Sequence, residues 1–94
     1  MLAAHDPEVA GLLVRERDRE HGTVRMIASE NYVSAAVLAA LGTSVVERYA
    51  SGRPSARRYP GCEIVDELER LAVRRAVALF HADHADVQPT SGSV

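Results

Sequence analysis

The sequence predicts a mostly α-helical chain with one or two short strands, and three observations carry that expectation. Between residues 64 and 80 apolar side chains recur at helical spacing over several turns. Asp6 followed by Pro7 is the signature of a helix start. Candidate strands are confined to two short stretches, the apolar 24–28 and 85–89, which ends in proline.

Each element follows from its residues. Asp6 can accept hydrogen bonds from the free amides of a first turn, and Pro7 suits the first helical position because its missing N–H would have no partner there. Val9, Leu12 and Leu13 share one face of this helix, but 15–21 is polar on every side and Gly22 offers a stop. The helix therefore buries only a narrow stripe. Residues 24–28 read as strand or extended chain, leading into Ser29, Glu30 and Asn31, which readily form turns. Ser34 is the expected cap of a second helix, in which Val37, Leu38, Leu41 and Val45 recur at helical spacing and Gly42 breaks or bends the run.

From 50 to 61 the chain holds two glycines, two prolines, two serines and three arginines, so no regular element is expected to continue through it. The next helix has a wide apolar face of Ile64, Val65, Leu68, Leu71, Ala72, Ala76, Leu79 and Phe80. Its acidic residues Glu63, Asp66 and Glu67 precede its basic residues Arg70, Arg74 and Arg75, the order that suits the helix dipole. Asp66 and Arg70 also form an i, i+4 pair. Residues 85–89 are expected to form a short strand ending in Pro89, followed by Thr90, Ser91, Gly92 and Ser93.

Composition narrows the class. Ninety-four residues, 47% hydrophobic and 26% charged, fit one small domain or a piece of a larger one and exclude two packed domains. No apolar run approaches the roughly 18 residues that span a bilayer, and the first six residues lack the basic start and apolar middle of a signal peptide. The expectation is a cytoplasmic chain. Cys62 is the only cysteine, which excludes an internal disulfide. All 11 basic residues are arginine, and lysine is absent. With one Phe, three Tyr and no Trp, a core would be mainly Ala, Val and Leu, and independent stability marginal.

Four places could carry chemistry. A strand followed by small hydroxyl residues and glycine, as in Thr90 to Ser93, can set backbone amides and hydroxyls around a phosphate, although the same residues also make plain turns. Tyr49 and Tyr59 flank a loop with Arg48, Arg53, Arg57 and Arg58, a group able to engage carboxylate, phosphate or nucleic acid, or simply to be solvated. A net charge of −2 makes RNA the weakest of these partners. His81, Asp83, His84 and Asp86 resemble a metal cluster in composition, but their place after the helix favours an exposed turn. Cys62 has no assignable base and reads as a packed thiol.

Taken together, four stretches in order resemble the N-terminal part of serine hydroxymethyltransferase, a fold-type I enzyme that uses pyridoxal phosphate. They are Met26 to Tyr32, Glu47 to Ala50, Arg57 to Glu63 and Val87 to Ser93. The resemblance implies an α/β parent, the fold-type I transferase, of which this chain would be residues 1–94, cut at the start of the large cofactor-binding domain. It implies that Ser29 contacts the amino acid substrate near its carboxylate. It further implies that Ser91, Gly92 and Ser93 lie around the cofactor phosphate, and that Tyr49 and Tyr59 reach into the active site of the neighbouring subunit of a homodimer or higher homo-oligomer. The implied parent reaction interconverts serine and glycine with tetrahydrofolate, without nucleic acid, membrane or metal.

Two departures bear on the folate step. The family has a glutamate acid and base group where this chain has Ser51, and a hydroxyl cannot replace a titrating carboxylate. The family also has paired tyrosines and paired glycines where this chain has Arg58 with Tyr59 and Pro60 with Gly61. The lack of lysine removes the Schiff-base anchor that pyridoxal phosphate requires. The expectation is a truncated product, inactive by itself. A folate-independent aldolase acting on 3-hydroxy amino acids is the enzymatic alternative, and a non-catalytic helical module pairing with an intact subunit is the other.

Overall fold

In the computed structural model, residues 1–93 are described. The chain divides into two compact units, Met1–Ala35 and the residues from Ala36 onward.

The first unit is built on two helices. One turn, α1 (Leu2–His5), packs on α2 (Pro7–His21). Asp6 sits between them as the expected cap, its Oδ1 accepting from the Val9 amide at 2.9 Å. α2 stops at Gly22, whose N–H reaches back to the carbonyls of Asp18 and Arg19. The turn α1 was not expected, because four residues are too few to display a period. Residues 24–28 form no strand: nothing among the described residues pairs with them, and Ala28 and Ser29 lie in a turn closed by Glu30 N–H to the Ile27 carbonyl at 3.0 Å.

The second unit contains most of α3 (Ala35–Leu41), then a 3-10 turn (Ser44–Glu47), the strands β1 (Gly52–Arg53) and β2 (Ala56–Arg57), and α4 (Glu63–Phe80). α3 begins directly after Ser34 and ends just before Gly42, so Val45 falls in the 3-10 turn rather than in the helix expected to include it. Residues 85–89 are not a strand either. The two strands lie instead in the stretch where no regular element was expected. They pair antiparallel, Gly52 with Arg57 and Arg53 with Ala56.

Backbone conformation explains that hairpin. Pro54 takes the second turn position, which suits its fixed φ, and Ser55 takes the third at φ 68°, the sense of a type II turn. Gly52 has φ 106°, and a Cβ there would run into the Ala56 carbonyl oxygen. α4 ends where His81 turns left-handed at φ 51° and the Ala82 amide reaches the Val77 carbonyl at 3.1 Å. Among the described residues Cys62 is the only buried apolar residue, and the charged side chains of Arg57, from the hairpin, and Asp66, from α4, are covered as well. The apolar residues expected to face a core, including Leu12, Leu13, Leu38, Leu41, Ile64 and Leu68, are exposed.

Candidate functional site

The tyrosine loop is held by its arginines. Arg57 leaves β2 with its side chain only 6% exposed and points back under the hairpin. Its Nε donates to Asp66 Oδ1 at 2.7 Å and one terminal nitrogen to Glu69 Oε2 at 2.5 Å, both on α4. The other terminal nitrogen donates to the carbonyls of Ala50 and Gly52, at 2.7 and 2.6 Å. A planar fork with several fixed donors can span two carboxylates and two carbonyls in this way, and an ammonium cannot.

The carboxylates reach further. Asp66 Oδ2 accepts from the Ser55 amide at 2.7 Å, which satisfies the backbone group at the left-handed turn position. Glu69 Oε1 accepts from Gln88 Nε2 at 2.7 Å, and the same amide nitrogen donates to the Gly52 carbonyl at 3.1 Å. Arg70 approaches Asp66 at 3.8 Å, as the i, i+4 spacing predicts, and also donates to Ser55 Oγ. The Arg57 guanidinium first, then the Ser55 amide, hold the Asp66 carboxyl below its ordinary value, and burial opposes them. Its hydrogen bonds to Asp66 and Glu69 raise Arg57 in turn.

Tyr49 and Tyr59 are brought together, with ring centroids 5.8 Å apart and planes tilted by 49°. They are 78% and 49% exposed, so the ring contact itself supplies no more than the low end of about 0.5–1.5 kcal/mol. Hydrogen bonds on either side do the holding. Arg48 donates to the carbonyls of Pro60 and Gly61, at 3.0 and 2.9 Å. The Cys62 thiol is buried and lies 3.5 Å from the Tyr49 carbonyl, a packed thiol as its surroundings in the sequence suggested. Gly61 has φ 72°, so this second position of the pair needs glycine, whereas the first accommodates Pro60.

The other predicted residues lie elsewhere. Ser29 belongs to the first unit, exposed at a turn whose flanks are tied by Arg25: its guanidinium bonds Glu20 at 2.9 Å, nears Glu30 at 3.7 Å and stacks on the Tyr32 ring at 4.3 Å. Ser91, Gly92 and Ser93 are exposed, with the Ser93 amide donating to Ser91 Oγ at 3.2 Å. Their hydroxyls and amides suit a phosphate. A Cβ on Gly92 would meet nothing within 4 Å, so no close cradle is formed there. No group of three or more His, Cys, Asp or Glu that could hold a metal occurs among the described residues. Asp86, from the His- and Asp-rich turn, instead accepts from the Gln88 amide and pairs with Arg53 at 3.4 Å.

Reading by sequence missed Asp66, Glu69 and Gln88 as partners of the loop. The available signal was two carboxylates three residues apart on α4, following a loop with an excess of arginine.

The family model for serine hydroxymethyltransferase matches residues 2–94. This chain belongs to the serine hydroxymethyltransferase family. It is 56% identical over 88 residues to the serine hydroxymethyltransferase of Halorubrum lacusprofundi, covering 94% of this chain and 21% of that protein. The namesake from a Nostoc species is 50% identical over 92 residues, or 98% of this chain and 22% of its own. That of Halobacterium salinarum is 54% identical over 88 residues. The chain thus spans about a fifth of the length of the hydroxymethyltransferases it matches. Ser51 is exposed and uses its backbone carbonyl to accept from the Arg58 amide at 2.9 Å.

Proposed function

We propose that this chain is the opening segment of a pyridoxal phosphate-dependent, cytoplasmic hydroxymethyltransferase that interconverts serine and glycine. The observation that carries the reading is the tyrosine pair, clamped 5.8 Å apart in a chain that matches the family along almost its whole length. In this reading Tyr49 and Tyr59 serve the active site of the neighbouring subunit of a homodimer. Ser29 binds the substrate near its carboxylate, for which an exposed hydroxyl on a fixed turn is a suitable donor. Ser91, Gly92 and Ser93 hold the cofactor phosphate through amides and hydroxyls.

The cofactor supplies the electron sink for chemistry at the amino acid α-carbon. The residues present fit its phosphate end only, because a chain without lysine has no covalent anchor for its aldehyde. The 94 residues alone are therefore inactive in this reading, and the anchor comes from outside them.

Ser51 supports a second reading, in which the parent cleaves 3-hydroxy amino acids without tetrahydrofolate. A chimera separates the two: residues 1–94 replace the matching segment of the Halorubrum lacusprofundi protein, and cofactor-dependent turnover of serine is measured with and without tetrahydrofolate. Restoring a positioned acid and base group by Ser51→Glu is expected to raise folate-dependent turnover by about 100-fold. No gain would count against the folate-dependent reading and favour the aldolase.

A further inference from the structure

Arg57 has more hydrogen bonds than any other side chain in the loop, and none of them goes to a tyrosine. Its bonds go to Ala50, the residue after Tyr49, to Gly52, and to two carboxylates of α4. Arg58, next in sequence, leads directly to Tyr59. The fork therefore holds the backbone beside both tyrosines against one rigid helix. Arg48 completes the frame from the other side, through Pro60 and Gly61.

From this arrangement we infer that Arg57, seated on Asp66 and Glu69, is a positioning residue that sets the separation and tilt of Tyr49 and Tyr59 for their work in the neighbouring subunit. The inference rests on the role proposed above for the two tyrosines. Charge alone does not suffice for the task, since the bonds to two carbonyls and two carboxylates use the planar geometry of guanidinium. Ser29 lies on a turn tied separately through Arg25, so substrate capture there does not depend on Arg57.

The test is made in the full-length chimera with its cofactor bound. Arg57→Lys keeps the charge and removes the fork. A misplacement of about 1 Å costs about 100-fold in rate, so kcat is expected to fall by that factor while KM for serine changes by less than about threefold. In a Tyr49→Phe background the same substitution should add little, because the two residues act on one element. A full multiplicative loss in that background, or an unchanged kcat, overturns the inference. Glu69→Gln, which leaves the Asp66 bond in place, is the milder variant and should show a smaller fall with the same KM. Failure of the tyrosine role itself is recognised separately: Tyr49→Phe and Tyr59→Phe would then leave turnover unchanged. In that event the crystal structure of the Arg57→Lys chimera still decides, since tyrosine rings that have not moved overturn the positioning role.

Discussion

Asp66 is a buried carboxylate whose charge is needed by the loop and opposed by its burial. Because its folded pKa lies below the ordinary 3.8, its contribution to stability is present above that value and lost as pH falls through the lower, folded one. Asp86 is lowered as well, chiefly by the Gln88 amide and then by Arg53, and adds to the same trend. The loop is therefore expected to release below about pH 4, seen as a change in tyrosine fluorescence, and Asp66→Asn should remove much of that acid step. An identical acid profile in the variant would contradict this. Glycine at 52 is fixed by a different cause. Gly52→Ala places a methyl group against the Ala56 carbonyl in addition to the strain of φ 106°, and should cost about 1–3 kcal/mol in denaturant unfolding of the chimera. Gly61→Ala carries the strain of φ 72° but meets the end of the Arg48 side chain rather than backbone, and should cost less.

At the level of elements, α2 and α4 were legible because each carries a start signal or a sustained period. The Asp6 cap is present as predicted, and Asp6→Ala should cost about 1 kcal/mol in the stability of α2, read as a loss of helical circular dichroism on heating. The strands were not legible. Residues 24–28 have strand composition but, like 85–89, no paired neighbour among the described residues, and pairing rather than composition makes a strand. The actual strands, two residues each, are too short to show alternation and are closed by a side chain, Arg57, that sequence patterns do not reveal. The tyrosine loop and the run from Thr90 to Ser93 stood out in the sequence itself, whereas Ser29 and the roles of all of them came from the family resemblance. Asp66, Glu69 and Gln88 became visible as partners only when α4 and the hairpin were placed together.

For the whole molecule, the decisive fact is how little apolar surface is buried. With Cys62 the only buried apolar residue among those described, the helices are not held by a core, and stability that comes mainly from local bonds does not melt as one unit. The isolated chain is expected to lose its helical circular dichroism over a broad temperature range, and a sharp cooperative transition would refute this. No helix among the described residues is long and apolar enough to cross a membrane, so the exposed faces are not explained by a bilayer-spanning helix. The clasp around Arg57 has a further consequence for how such a segment can change. Its hydrogen bonds go to backbone carbonyls, a backbone amide and the side chains of α4, and none goes to the side chains at 51 and 58. The shape of the loop is thus written at other positions than 51 and 58, and side chains there can be exchanged without rebuilding the loop that presents them.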